Sequence, residues 1–199
     1  MGGVIIDLDI NKTIAEYNKL SHYPFENIYT QAKQTNLFNE FDKGKISTEK
    51  FFGELRKEIN FTGDDMSLLY AWNAMLLDVP EDRLDTLVDA KQNYNTFLLS
   101  NTNEPHIAMF EHDLYHKHGV KNFEDYFDKV YYSCRVGMRK PDKEIFELVL
   151  NDNKLIADET VFIDDSIQHI QGAGSCGINA YLLQNKMEVG ELLKQLKLL

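Results

Sequence analysis

The chain has 199 residues, 43% of them hydrophobic, which is enough to bury one substantial core together with a subsidiary domain. Its net charge of -11 at pH 7 argues against a nucleic-acid or anionic-membrane partner, because there is no surplus of cations to neutralise phosphates. Cys134 and Cys176 provide no disulfide framework, and neither a signal peptide nor a membrane-spanning apolar stretch is found, so we expect a cytoplasmic protein.

The first nine residues are glycine-rich, then apolar and finally acidic, and they allow two interpretations. They form either a strand that ends at Asp7 or a loop that follows a strand outside this sequence. The polar-rich residues 13–78 then show apolar side chains at helical spacing, as in Phe51 and Leu55 after the N-cap residue Ser47. We interpret this segment as a small helical bundle inserted into another domain.

Helices and strands alternate through the remainder of the chain, which begins with a helix over residues 81–94. The predicted strands cover residues 96–99, 129–133, 161–165 and 180–183. The predicted helices that accompany them begin at Pro105 and Pro141 and cover residues 168–174 and 188–199. This alternation implies an α/β fold with a doubly wound parallel sheet and right-handed crossovers.

Residues 161–166 (VFIDDS) form an apolar run that ends in the adjacent carboxylates Asp164 and Asp165. A buried parallel strand is a nearly continuous apolar run, and ligands collect at the carboxyl ends of such strands. Adjacent carboxylates repel each other unless a cation shares the site, so we expect a hard divalent ion, Mg²⁺, to bind here. The alternative is a strand that runs into an ordinary turn or helix N-cap, since Asp and Ser favour both.

Two further strand ends carry polar residues that suit phosphate. Ser100 and Asn101 follow one predicted strand and Lys140 follows another, and all would lie at the same edge of the sheet as the acidic pair. A hydroxyl and backbone N–H groups hold phosphate oxygens, a lysine compensates charge, and an acidic pair adds a metal ion. The pattern therefore predicts a phosphoryl-transfer site whose remaining component is a carboxylate nucleophile that forms an aspartyl-phosphate.

At these residues the chain resembles the haloacid dehalogenase-like (HAD) superfamily over essentially its whole length. Residues 97–103 (FLLSNTN) look like the second motif of that family, residues 137–142 (GMRKPD) like the third, and residues 161–166 like the fourth. Each motif is weak alone, but three in order at strand ends are specific. The chain is most similar to the small-capped phosphatases, a subgroup that includes α-D-glucose-1-phosphate phosphatase and carries a four-helix cap between the first and second motifs.

The resemblance implies a role for each of the strand-end residues. Ser100 and Asn101 would bind the phosphoryl group, and Lys140 would neutralise its charge, so that Ser100 and Lys140 serve catalysis directly. Asp164 and Asp165 would hold Mg²⁺.

The resemblance also implies a division into two domains. A HAD core would comprise residues 1–13 and 79–199, and a helical cap would comprise residues 14–78. One departure from the family pattern is His169, where many relatives place a further acidic residue behind the metal.

The first motif of relatives is an apolar strand that ends in an aspartate nucleophile, and this chain fits it in two registers. In the first register, residues 1–4 (MGGV) match the part after the nucleophile, which would be missing from this chain. In the second, residues 4–6 are the strand, Asp7 is the nucleophile and Asp9 is the general acid. Ile10 stands where the second register needs a glycine for a tight turn, so we favour the first register and expect an N-terminal truncation.

The leading functional hypothesis is a Mg²⁺-dependent phosphatase for a small phosphorylated metabolite, such as a sugar phosphate. The cap would close over the site and exclude bulky substrates such as phosphoproteins. A phosphomutase is an alternative, whereas a dehalogenase is less favoured because displacement of halide needs no Mg²⁺. A chain without its nucleophile is also compatible with a non-catalytic phosphate-binding or regulatory module.

Overall fold

The computed structural model describes residues 1–21, 24–27, 29, 36–184 and 187–199 of the chain. Within them lie the α-helices α1 (Ile10–Leu20), α2 (Asn36–Asp42), α3 (Thr48–Glu58), α4 (Asp65–Asn73), α5 (Glu81–Asn93), α6 (Glu104–His118), α7 (Ser133–Val136), α8 (Lys143–Asp152), α9 (Ile167–Ser175) and α10 (Val189–Gln195). The strands are β1 (Phe97–Ser100), β2 (Lys129–Tyr132), β3 (Val161–Asp164) and β4 (Asn179–Leu182).

The predicted elements are found close to their expected bounds, with three differences. The helix predicted from Pro141 begins at Lys143 instead. The short helix α7 is not predicted, because a single turn is too short to show an apolar period. The pattern of leucines predicts a last helix that reaches residue 199, but α10 ends at Gln195, and Lys197 beyond it has a left-handed φ of 59°.

Helices α1 to α4 pack around an aromatic core of their own. The Trp72 ring lies in this core, with its centroid 5.1 Å from that of Phe51 and 5.7 Å from that of Phe38. The Tyr17 hydroxyl on α1 donates a hydrogen bond of 3.0 Å to the carbonyl of Leu68 on α4. Because these helices share a core and fill the predicted insertion, we propose that they form the cap.

The four strands form two parallel pairs, as the alternating pattern predicts. Strand β1 pairs with β2, and strand β3 pairs with β4. Across the residues that the structure describes, no strand joins β1 to β3, so the expected sheet is divided into two halves.

Residues 4–6 form a turn in this structure. The backbone N–H groups of Val4, Ile5 and Ile6 all donate to the carbonyl of Met1, at 3.3, 2.8 and 3.1 Å. Gly3, with a φ of 73°, turns the chain back on itself, and the three apolar side chains are buried in the core of the sheet. The second register predicts a strand at residues 4–6, and this prediction is wrong. The three apolar residues are buried in a turn rather than in an extended strand.

The two segments that connect the helical layer to the sheet run side by side. Leu8 pairs with Leu76 in an antiparallel bridge. The N–H of Asp7 donates to the carbonyl of Asp78, and the N–H of Leu77 donates to the carbonyl of Asp7, each at 3.0 Å. Both connections therefore lie at one edge of the molecule, directly beside the carboxyl ends of the strands.

The apolar character of the helices and the state of the two cysteines can be read from the structure. None of the helices found in the described ranges is long and apolar enough to cross a bilayer. Cys134 and Cys176 are both free thiols. Burial raises the pKa of Cys134 to about 12, so this thiol remains protonated.

Candidate active site

A cavity of about 360 Å³ lies between the helical layer and the carboxyl ends of the strands. One side carries the residues that the sequence singles out at strand ends, namely Ser100, Asn101, Lys140, Asp164 and Asp165. The other side is lined by residues from the helical layer and its connections, among them Leu8, Ile10, Asn39, Asp42, Trp72, Met75 and Leu76. The structure thus brings together the predicted phosphate and metal residues under a roof of helices.

Ser100 and Asn101 follow β1 directly, and their side chains behave differently. The Ser100 hydroxyl makes a hydrogen bond of only 3.5 Å to the carbonyl of Asn101, which is at the limit for such a contact and leaves the hydroxyl available to a ligand. The Asn101 amide donates to the carbonyl of Lys140 and accepts from its N–H, both at 2.9 Å. Asn101 therefore clamps the backbone of Lys140 at the edge of the cavity.

Lys140 and Asp164 form a buried ion pair at the base of the cavity. The Lys140 Nζ lies 2.6 Å from Asp164 Oδ2 and also donates to the carbonyl of Leu99 at 2.9 Å. The other oxygen, Asp164 Oδ1, accepts from His169 Nδ1 at 2.7 Å and from the N–H of Ser166 at 2.9 Å. Burial opposes ionisation of Asp164, but the His169 hydrogen bond and the Lys140 charge outweigh it and hold the pKa of Asp164 well below its usual range.

Asp165 opens into the cavity beside the N-terminal glycines. Partial burial, and then repulsion from Asp164, raise the pKa of the Asp165 carboxyl. A Cβ atom on Gly3 would overlap the Asp165 carboxylate, and the φ of 73° at Gly3 also disfavours any other residue. Gly3 is therefore required where the chain passes Asp165.

The amino group of Met1 is buried between the strand-end residues. Burial, and then the charge of Lys140, lower the pKa of this amino group to about 5, although Asp164 and Asp165 act in the opposite direction. Met1 and Gly2 both line the cavity. The Met1 amino group thus senses the charges of the lysine and of both carboxylates.

Asp7 and Asp9, the acids of the second register, are not brought to the cavity wall. Asp7 Oδ1 pairs with Arg83 Nη1 at 2.8 Å, and its side chain is 51% exposed. Asp9 is the N-cap of α1 and accepts from the N–H of Asn11 at 3.0 Å. Both carboxylates therefore have structural partners outside the site.

The sequence reasoning missed a polar wall on the side of the cavity opposite to Asp165. Asp42, at the end of α2, lies 3.6 Å from the guanidinium of Arg139, which also donates to the Asn39 side chain. Arg139 is adjacent to Lys140 in a motif that was recognised, so its position was a usable signal. The residues around Asp42 in the sequence do not indicate that it lines the cavity, because only the packing of α2 against the Arg139 loop places it there.

A second buried network joins α4 to α6 behind this wall. Trp72 Nε1 donates to Asn103 Oδ1, and His106 Nε2 donates to the carbonyl of Trp72, each at 3.2 Å. Burial lowers the pKa of His106 to about 4, so the ring is neutral and carries its proton on Nε2. The network fixes the helical layer onto the core of the sheet at the floor of the cavity.

The burial of Asp42 predicts a pH-dependent cost to stability. Burial raises the pKa of Asp42 to about 6, although the Arg139 charge and a hydrogen bond from Asn103 oppose the rise. In the unfolded chain the pKa of an aspartate is about 3.9, so between pH 3.9 and pH 6 the native state binds more protons than the unfolded state. The free energy of unfolding therefore falls by about 2–3 kcal/mol as the pH rises through this range. We expect Asp42→Asn to gain stability over the natural chain by this amount between pH 4 and pH 7 in urea titrations. Parallel pH profiles for the two proteins would contradict it.

Comparisons with known proteins identify the family of this chain. Residues 3–177 match the family model of the haloacid dehalogenase-like hydrolases. The chain is 30% identical over 188 residues to D-ribitol-5-phosphate phosphatase of Bacteroides thetaiotaomicron, a match covering 92% of this chain and 89% of the relative. It is 28% identical over 163 residues to a sesquiterpene phosphatase of Aspergillus oryzae, covering 81% and 80% of the two chains.

A solved structure extends the comparison to three dimensions. A crystal structure of a HAD family enzyme from Bacteroides thetaiotaomicron, an aspartate-to-alanine variant in complex with magnesium and inorganic phosphate, superimposes with a TM-score of 0.88. The two proteins are 31% identical, and the match covers 97% of this chain and 95% of that one. The α/β fold and the family that the strand-end motifs predict are confirmed, and this chain belongs to the haloacid dehalogenase-like hydrolases.

Proposed function

We propose that this protein is a Mg²⁺-dependent phosphatase that hydrolyses a small, sugar-like phosphate monoester through an aspartyl-phosphate. The observation that carries the proposal is the convergence of Ser100, Lys140 and Asp165 on one cavity. The names of two relatives, a D-ribitol-5-phosphate phosphatase and a sesquiterpene phosphatase, support phosphatase activity, and the first also supports a sugar-like substrate.

The residues present fit Mg²⁺. Magnesium is bound in phosphoryl-transfer sites by one or two carboxylates together with phosphate oxygens and water, rather than by a full protein cage. Among the residues that the structure describes, no group of three or more His, Cys, Asp or Glu side chains is arranged to hold a metal, which agrees with such a sparse site. Asp165 is the carboxylate free to bind, whereas both oxygens of Asp164 already accept hydrogen bonds. Bound there, the ion would neutralise charge on the phosphoryl oxygens.

The side chains of this chain supply the binding and positioning steps. The Ser100 hydroxyl is placed to donate to a phosphoryl oxygen, and the Lys140 ammonium offsets the charge that develops on that group during transfer. Asp164 and Asn101 hold Lys140 from its side chain and its backbone. The helical layer covers the cavity and limits the access of water and of large phosphorylated molecules.

We propose that the nucleophile is a carboxylate placed directly before Met1. Among the described residues, the carboxylates that line the cavity are Asp42, Asp164 and Asp165. Asp164 is fully hydrogen-bonded, Asp165 is the metal candidate, and Asp42 lies on the opposite wall. A nucleophile must come within roughly 3–3.5 Å of the phosphorus. The buried Met1 amino group, which senses the charges of Lys140, Asp164 and Asp165, favours this position over Asp7, which pairs with Arg83 outside the cavity.

The lack of a placed nucleophile within the described residues gives support to a second candidate function. The 199-residue chain by itself would then bind phosphate and Mg²⁺ without turning over a substrate. Binding measurements test the features that both functions share, and turnover measurements separate them.

The metal role of Asp165 is tested by thermal stability, which does not depend on turnover. Mg²⁺ together with inorganic phosphate is expected to raise the melting temperature of the natural chain, because a ligand at about 100 times its Kd stabilises by about 2.7 kcal/mol. Asp165→Asn should lose most of this increase. Asp7→Asn, which removes an acid outside the cavity, should retain it. An unchanged response in Asp165→Asn would remove Asp165 from the metal site.

A further inference from the structure

We infer that Asp42 is a specificity residue that accepts hydrogen bonds from hydroxyl groups of the leaving group, so that the site prefers uncharged polyhydroxylated phosphate esters over apolar ones. The inference rests on the proposed function, because it assumes that the phosphate itself lies at Ser100, Lys140 and Asp165. It concerns the opposite end of the same cavity, where Asp42 and Arg139 form the polar wall.

The polar wall is held at a fixed separation from the phosphate end. Arg139 and Lys140 are consecutive, yet Lys140 pairs with Asp164 on one side whereas Arg139 contacts Asn39 and Asp42 on the other. Lys140, Arg139 and Asp42 line the same cavity, so a ligand whose phosphate lies at Lys140 can extend its leaving group towards Asp42.

The placement of Asp42 is secured by further contacts between α2 and the core. Lys43 Nζ pairs with Asp142 Oδ2 at 2.8 Å. A Cβ atom on Gly44 would overlap the carbonyl oxygen of Cys134, so only glycine permits this close approach of the backbones. The carboxylate at position 42 is thus held by the fold rather than by a mobile side chain at the surface.

Asp42 and Arg139 retain hydrogen-bonding capacity that the protein does not use. The ion pair of 3.6 Å between them is longer than a hydrogen bond, and a carboxylate accepts about four hydrogen bonds. Arg139 Nε is buried and has no hydrogen-bond partner within the described part of the chain. A hydroxyl group both donates and accepts, so it suits an acceptor and a donor that lie side by side.

The charges on this wall indicate an uncharged leaving group. Asp42 and Arg139 neutralise each other, so the polar wall has no net charge with which to attract a second charged group on the ligand. The apolar side chains of Leu8, Met75 and Leu76 line another part of the cavity. A polyol presents hydroxyls to one wall and C–H groups to the other, which matches both surfaces.

The loss of folding stability caused by burying Asp42 supports a role for this residue in ligand binding. The raised pKa shows that the native state disfavours the ionised carboxylate, and an isosteric amide would avoid that cost. Proteins retain such destabilising groups where binding or activity needs them.

The test compares the binding of three probes to the full chain in the presence of Mg²⁺ by titration calorimetry. The probes are inorganic phosphate, ribitol 5-phosphate, and n-pentyl phosphate, which has the same carbon chain without hydroxyls. Ribitol 5-phosphate is expected to bind about tenfold more tightly than n-pentyl phosphate, as one or two additional hydrogen bonds provide. Asp42→Asn should abolish this preference while it retains the affinity for inorganic phosphate. Asp113→Asn removes an ion pair with Lys117 that lies outside the cavity and should keep the preference.

The outcomes separate the inference from the proposed function. If inorganic phosphate binds but the two esters bind equally, the inference is wrong and the phosphate site stands. If Asp42→Asn keeps the natural preference, or weakens inorganic phosphate as much as ribitol 5-phosphate, Asp42 has no specificity role. If no probe binds to the natural chain with Mg²⁺, the proposed function itself fails and the inference fails with it.

Discussion

An apolar segment ending in aspartate, added directly before Met1, is expected to confer phosphatase activity and to raise the melting temperature. The catalytic part rests on the proposed nucleophile and on the buried Met1 amino group, which senses the charges of Lys140, Asp164 and Asp165. The stability part follows from the gap between β1 and β3, whose facing edges have no strand partner among the described residues. Each Val, Leu or Ile that the added strand buries contributes about 1.5–3 kcal/mol.

Two measurements on matched proteins separate these effects. Phosphate release from a panel of small phosphate esters with Mg²⁺ reports catalysis, and scanning calorimetry reports stability. The control carries the same segment ending in asparagine, which should recover the stability without the activity. Activity in the unextended chain that disappears in Asp7→Asn would overturn the expectation and identify Asp7 as the nucleophile.

Replacement of Lys140 by alanine is expected to destabilise the fold by about 3–5 kcal/mol, because it leaves a buried carboxylate without its partner. Lys140 and Asp164 are only 4% and 5% exposed, so water cannot replace the missing charge without a rearrangement. His169 and the N–H of Ser166 both bind the other oxygen of Asp164, and they leave Oδ2 unsatisfied in the variant. In an active, extended chain the same change should lower turnover by a factor on the order of 10²–10³.

Urea titration of Lys140→Ala against a matched surface variant tests this expectation. Lys143→Ala removes an exposed pair with Glu147, whose side chains are 55% and 46% exposed, and should change stability by less than about 0.5 kcal/mol. Asp164→Asn combined with Lys140→Met should recover part of the loss, because neither buried charge then remains. Lys140→Arg should rescue turnover poorly, since a planar guanidinium does not replace a compact ammonium at one point. If Lys140→Ala has the same free energy of unfolding as the natural chain, the ion pair does not stabilise the fold and the expectation is wrong.

The sequence determined the features that depend on neighbours along the chain. Gly119 ends α6 in a left-handed conformation, and Ser47 caps α3, as their residue types predict. The alternation of strands and helices was sufficient to predict parallel pairing. Parallel pairing, in turn, places strand ends at one edge, which is why the sequence could predict that Ser100, Lys140 and Asp165 lie near one another, as they do in the lining of one cavity.

Only the tertiary structure decided which contacts those residues make and which other residues line the cavity with them. Asn101 is predicted to bind phosphate, and the structure adds that its side-chain amide clamps the backbone of Lys140, a contact that depends on the distance between two loops. Residues 4–6 have the composition of a strand, but Gly3 and the packing of the sheet bury them as a turn.

The polar wall depends on tertiary contacts most of all. Asn39 and Arg139 are 100 positions apart in the chain, and no local pattern links them. Helix capping and apolar periodicity act within a few residues, so the sequence reveals the alternating strands and helices. That alternation in turn predicts the edge of the sheet where the strands end. The opposite wall exists only because α2 packs onto the loop that carries Arg139, and this packing is a property of the assembled core rather than of either segment.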